Sequence, residues 1–272
     1  MVHSSTDARQ TVERGFLPPQ DDAERLLMRR MEELAGIALQ RGVPRTSLFL
    51  SDREQVLAEA AMHRAQCRCW RFDGGFPQAE RRVLCIEPED TKAEGAVCCV
   101  RIDCRLVPGA AAPQHKDYLG SLTGFGLGRE ALGDILLPEQ QPGTAYVFAL
   151  KSAAQAISAQ LDRIGSFAVT VQDVPAGEVP VFPEKERRVQ TATVSSLRLD
   201  AVLAAMLHCS RGQAAELIEA GRVEINHVTA DSAHAAVYCG DLFSVRGKGR
   251  YQLTELPGKS KKERYILSYF QY

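Results

Sequence analysis

The sequence predicts an α+β protein of three successive units: a small N-terminal α/β unit over residues 1–94, a middle unit over 95–180 and a C-terminal unit over 189–272. Three observations predict it. Helical and strand periodicities follow one another inside each unit instead of segregating into long blocks. The stretch 175–188, "PAGEVPVFPEKERR", sets three prolines and then mixed charge between the second and third units, the composition of a linker. A chain of 272 residues with 45% hydrophobic and 25% charged composition is long enough for two or three modest domains and shows no disorder signature.

In chain order, residues 21–42 place acids in the first turn, repeat Leu27, Met31, Leu34 and Ala38 at helical spacing and stop at Gly42. "TSLFL" reads as a strand. "SDREQVLAEAAMHRA" reads as a helix with Ser51 and Glu54 as a capping box. "RCWRFD" and "RRVLCIEP" are two strands separated by a Gly-Gly turn. In the middle unit "GAVCCVRIDCRLV" is a strand, "KDYLGSLTGFG" a helix, "TAYVFAL" a strand, "SAAQAISAQLDRIG" a helix ending at Gly165, and "FAVTVQDV" a last strand. That β-α-β-α-β order with an irregular middle predicts an RRM-like split βαβ domain, similar in topology only, because no exposed strand aromatics flanked by Lys/Arg and Gly are present.

Composition removes several function classes. The eight cysteines form no pair of C-x-x-C knuckles, so reduced core thiols are expected, with no metal, no cofactor and a reducing cytoplasm. No stretch has the ~18 apolar residues of a membrane span, and the start lacks an apolar signal core, which predicts an unprocessed cytoplasmic protein with no membrane partner. The formal net charge of −1 conceals an asymmetry: residues 246–264 hold seven Lys and Arg against two Glu, a local anion-binding surface.

Few motifs suggest catalysis. "GFGLG" follows a helix and lacks both dinucleotide and P-loop spacing, so it reads as helix termination. His115, Lys116 and Asp117 stand at a helix start with no second base nearby, which predicts capping, with Lys116 a candidate RNA contact. No G-x-S-x-G elbow occurs.

In the C-terminal unit local signals converge. "SSLRLDAVLAAML" begins with serines that read as caps and buries Leu199, Val202, Leu203 and Met206. Ser210 and Gln213 then form an S-x-x-Q capping box around Arg211, and Ala214, Leu217 and Ile218 face inward before Gly221. Arg211 therefore falls in a first turn, where free N–H groups and the helix dipole favour an anion. "RVEIN" is a strand, Asn226-His227 a turn, and "GDLFSVRGKGRYQLTEL" a hairpin pivoting on Gly247 and Gly249 that presents Arg246, Lys248 and Arg250.

"RLDAVLAAMLHCSRGQAAELIEAGRVEIN", the later "GD" and "VRGKGR" resemble the S4 (αL-type) RNA-binding domain over about 75 residues. With "HKDYLGSLTGFGLGREALGDILL" and "LDRIGSFAVTV", the chain is similar to the bacterial YlmH family. The resemblance implies a non-catalytic protein, a monomer that binds structured RNA (rRNA and tRNA) on the large ribosomal subunit during rescue of stalled nascent chains. It implies RNA contacts at Arg198, Ser210, Arg211, Gln213, Arg222, Asn226, Arg246, Lys248 and Arg250. Asn226-His227 departs from the family's usual Asn-Gly and leaves the hairpin type open. Two alternatives are an RNA-modifying enzyme of pseudouridine synthase type docked by its S4 domain, and a cell-division adaptor. Two expectations follow: a fragment from about Glu184 to Tyr272 keeps most of the RNA affinity, and Arg211→Glu abolishes binding without loss of fold.

Overall fold

A computed structural model describes residues 14–183, 187–260 and 262–272. They form two compact units, residues 18–183 and a C-terminal unit that also takes in residues 14–17.

The first unit begins with α1 (Asp22–Arg41), whose N-cap Asp21 accepts from the Glu24 N–H and whose end at Gly42 is left-handed, φ 60°. Helix α2 (Asp52–Arg64) starts at the expected Ser51/Glu54 capping box. Arg53, 6% exposed, donates to both carboxylate oxygens of Glu24 at 2.9 and 2.7 Å and locks the helices together. They lie on an antiparallel sheet of β1 (Arg45–Leu50), β3 (Arg82–Ile86) and β2 (Trp70–Asp73), in the order β1-β3-β2. The buried face of α1 is Met28, Met31, Ala35 and Ala38, so Leu27 and Leu34 sit at its margin rather than its centre.

The middle domain runs β4 (Val97–Cys104), α3 (His115–Gly124), β5 (Leu132–Leu136), β6 (Thr144–Leu150), α4 (Lys151–Gln160), β7 (Arg163–Ile164) and β8 (Phe167–Val174). Its antiparallel sheet has the order β5-β6-β4-β8-β7, a split βαβ arrangement with β4 and β6 central. The irregular middle of the sequence is strand β5. Helix α4 stops at Gln160, not at Gly165, where the chain instead reverses between β7 and β8 (φ 56°). Val100, Ile102, Val147 and Ala149 bury one sheet face against Tyr118, Leu122, Ala154 and Ile157.

The opposite face carries Cys99, Tyr146 and Phe148, and it is closed. Phe76 and Phe182 lie on it, with ring centroids 4.7 Å apart for Phe76 and Phe148 and 5.4 Å for Tyr146 and Phe182. The expected linker is therefore partly a lid: Val179 and Phe182 pack into the sheet. The N-terminal and middle parts also share a core of Phe49, Val83, Cys85 and Ala93 with Val97 and Leu150. The Asp134 carboxylate accepts from the Glu80 and Arg81 N–H groups at 2.7 and 3.2 Å. A Cβ on Gly133 would stand 2.6 Å from the Phe49 ring, so glycine is what permits this approach.

The C-terminal unit comprises β9 (Gln190–Val194), α5 (Leu199–Met206), α6 (Arg211–Glu219), β10 (Val223–Ile225), β11 (Val228–Thr229), β12 (Leu242–Val245), β13 (Gly249–Lys259) and β14 (Tyr265–Gln271). The strands form one antiparallel sheet, β11-β10-β12-β13-β14-β9. Helices α5 and α6 cover one face through Val202, Leu203, Ala214 and Ile218. The N-cap position of α5 is Arg198, so Ser195 and Ser196 do not cap it. Residues 14–17 join this unit through Arg14, whose Nε donates to the Asp241 carboxylate at 2.8 Å and whose Nη2 donates to the Ala236 carbonyl at 2.6 Å.

None of the eight cysteines is in a disulfide. Burial pushes the thiol of Cys85 up to about 11 and that of Cys99 up to about 12, so neither is a thiolate at neutral pH.

Candidate nucleic-acid interface

Two cationic groups form on the C-terminal unit, one at each end of α6. Ser210 caps the helix by accepting from the Gln213 N–H at 3.2 Å, and Gln213 Oε1 accepts from the Ser210 N–H at 3.0 Å. This closed cap places Arg211 at the first helical residue. Its Nη2 donates to Asp200 Oδ2 at 2.7 Å. Arg198 reaches the same carboxylate, Nε to Oδ1 and Nη2 to Oδ2, each at 3.2 Å, and also contacts the His234 ring.

Asp200 is thus the anchor of this group. Its side chain is 8% exposed, whereas those of Arg198 and Arg211 are 39% and 50% exposed. Burial alone would raise its carboxyl, but the hydrogen bonds from Arg211 and then Arg198 outweigh that and hold it below the usual carboxylate range. One carboxylate against two guanidiniums leaves a net positive charge, and it fixes the arginines while half of each stays open to solvent.

The second group lies around the glycine turn. Arg222 Nη2 donates to the Arg246 carbonyl at 3.0 Å, and the Arg246 N–H donates back to the Arg222 carbonyl at 2.9 Å. Gly247 and Gly249 take φ values of 79° and 105°, which lets the turn close tightly. Arg222, Arg246 and Lys248 are all exposed there. At 1.5 Å per residue the nine-residue α6 is ~14 Å long, and the two groups stand at its opposite ends, so they suit separate phosphates and not one clamped anion.

The remaining candidates divide. Ser210 and Gln213 commit Oγ and Oε1 to the cap. Asn226 is a structural pin: its Nδ2 donates to Asp241 at 2.9 Å and its Oδ1 accepts from the Leu242 N–H at 2.9 Å. Arg250 stands behind the turn with its guanidinium carbon 4.9 Å from the centre of the Tyr272 ring. Lys116 is exposed in the first turn of α3, on the other unit. Beside it Asp117 accepts from the Gln114 N–H at 2.8 Å, so Asp117 and not His115 performs the capping.

Sequence reasoning missed Asp200, His234 and the Arg14–Asp241 pair. A signal for Asp200 exists: it is the one acid in the apolar run "LDAVLAAML", and a carboxylate carried into a core needs partners. Among the described residues no group of three or more His, Cys, Asp and Glu could hold a metal ion, and no helix is long and apolar enough to cross a membrane.

Comparison with known proteins bears on the same residues. The S4 domain model matches residues 197–237, and the model for the proposed RNA-binding domain in YlmH matches residues 111–178. A Bacillus subtilis (strain 168) protein named "Ribosome-associated protein quality control protein P2" is 32% identical over 222 residues, covering 81% of this chain and 84% of that protein. A solved structure, "Cell division protein ylmH from Streptococcus pneumoniae", is similar in fold with a TM-score of 0.50 at 16% identity, covering 61% of this chain and 99% of that one.

Proposed function

This chain belongs to the YlmH family of proteins with a C-terminal S4 domain, and on that premise we propose that it is a non-catalytic RNA-binding protein that works on the ribosome. The observation that carries the reading is the pair of fixed, exposed cationic groups at the two ends of α6. A-form RNA presents phosphates and 2′-hydroxyls more readily than base edges, so rigid cations at a set spacing read its shape. In finer terms, the protein acts as a monomer on large-subunit rRNA and tRNA during quality control of stalled nascent chains; the name of the Bacillus relative supports the ribosome-associated quality-control part of this reading.

Co-sedimentation of the full chain with ribosomal subunits tests the proposal. The wild-type protein is expected with the large subunit, and its affinity for a structured rRNA fragment should fall with salt at a log–log slope of ~0.7–0.9 per phosphate contact. The Arg222→Ala/Arg246→Ala/Lys248→Ala triple variant alters exposed side chains and removes only the exposed Arg222 bond to the Arg246 carbonyl, so it should leave the pellet with its melting temperature little lowered. Undiminished co-sedimentation of that variant would remove RNA binding from this surface.

A further inference from the structure

The C-terminal sheet turns Phe243, Tyr251, Leu253, Leu267 and Tyr269 toward the helices. Strand alternation therefore sends Arg250, Gln252, Phe270 and Tyr272 to the opposite face. Gln252 lies opposite Phe270 in the β13–β14 register, and the Tyr272 N–H donates to the Arg250 carbonyl at 3.0 Å. On this face cations and rings interleave. The Arg187 guanidinium carbon is 4.8 Å from the Phe270 ring centre and 4.9 Å from that of Tyr272, and Arg250 approaches Tyr272 equally closely. The two rings are 5.1 Å apart at 57°, and the Tyr272 hydroxyl donates to Gln252 at 2.8 Å. Phe270 is buried, but Tyr272 is 47% exposed and Arg187 is exposed.

Guanidiniums held over aromatic rings combine the planar surfaces on which unpaired bases stack with positive charge at hand for the phosphates. The array also adjoins the cationic turn, because Arg250 directly follows Gly249 at the start of β13. Its acidic neighbour is Glu224, in the same cross-strand row through Ser244 to Arg250. We propose that Arg187, Arg250 and Tyr272, backed by the buried Phe270, form a second RNA contact that takes unpaired nucleotides by stacking, beside the phosphate-reading surface of α6 and the glycine turn. The assignment rests on the RNA-binding function proposed above and adds single-stranded RNA to its substrates.

The test titrates the full chain with a labelled short oligouridylate and, separately, with a base-paired RNA hairpin. Tyr272→Ala and Arg187→Lys should each weaken oligouridylate binding at least ~5-fold, the lower end of one lost base stack. Tyr272→Phe, which keeps the ring, should retain it, and Glu224→Gln should strengthen it. Hairpin affinity should be unchanged in all four and should fall in the triple turn variant. Arg187→Lys preserves charge and removes the plane, so full binding by it, or by Tyr272→Ala, overturns stacking. A wild-type chain that binds the hairpin but not the oligouridylate overturns this inference and leaves the ribosomal function standing; one that binds neither overturns both. Loss of a copurifying protein from the Tyr272→Ala variant with RNA affinity intact reassigns the face to a protein partner and overturns the inference.

Discussion

Asp200 organises the charge of the C-terminal unit, and its chemistry makes the stability of that unit depend on pH. A carboxyl whose folded pKa is depressed contributes stability that is present above the unfolded value of about 4 and is lost as pH falls through the folded value. Since the Arg211 and Arg198 hydrogen bonds hold Asp200 below the usual range, the C-terminal unit should lose stability on acidification below about pH 4. Asp200→Asn should flatten that acid limb in urea titrations and cost about 1–2 kcal/mol at neutral pH, a charged hydrogen-bond value discounted because both arginines are half exposed. The same geometry corrects the expectation for Arg211→Glu. A glutamate there sets a second carboxylate against a buried one, so the variant should melt earlier than wild type and confound fold with binding. Arg211→Gln keeps a donor for Asp200. It should hold the melting temperature while RNA affinity drops and its log–log salt slope becomes shallower by ~0.7–0.9, one phosphate contact.

Among the elements, the β10–β11 hairpin shows what the departure to Asn-His means. Asn226 and His227 take φ values of 49° and 67°, and Ile225 pairs with Val228, so the two-residue loop is of type I′ despite the histidine. Asn226 tolerates the left-handed region and ties the loop to Asp241 and Leu242, two bonds that Asn226→Ala removes. That change should cost about 2–3 kcal/mol by chemical denaturation, from lost hydrogen bonds plus left-handed strain. Any loss of RNA affinity should disappear where the variant is fully folded. Elements with local signals were legible in the sequence. The acids at the start of residues 21–42, the caps at Ser51 and Ser210 and the stops at Gly42 and Gly221 delimit α1, α2 and α6 almost to the residue. Strands β5, β9 and β14 were not, because short strands take their meaning from neighbours: Gln190 of β9 pairs with Tyr269, far along the chain. The serines before α5 misled for a similar reason, since Arg198 enters the helix from a bridge to Ala236. In the candidate site the arginines were visible, while Asp200, which positions two of them, was hidden as one letter in an apolar run.

For the whole molecule the division of the chain decides which pieces can stand alone. The N-terminal and middle parts share the Phe49, Val83 and Cys85 core, so residues 18–183 should unfold in one transition, whereas residues 18–94 alone would expose that core and aggregate in size-exclusion runs. The C-terminal unit has the opposite problem, because part of it comes from the far end of the sequence. Arg14 pairs with Asp241 across 227 residues, and the Asp241 side chain is fully buried, at 0% exposure. Removing one partner of a buried pair leaves an uncompensated charge, a cost of about 3–5 kcal/mol when nothing else bonds it. Asp241 keeps the Asn226 amide and the Tyr238 N–H at 2.8 Å, so the loss should be nearer 2 kcal/mol. A fragment that starts at residue 187 lacks Arg14 and should therefore bind RNA less well than the full chain at 37 °C, contrary to the expectation that residues 184–272 suffice. Arg14→Ala in the full chain separates this cause from loss of the other unit. It should lower hydrogen-exchange protection in β12 and β13 by a ~10- to 30-fold factor, matching the fragment, and leave α1 and α2 as protected as in wild type. Wild-type protection of β12 and β13 in the variant would show that the Arg14 contact does not hold the unit together.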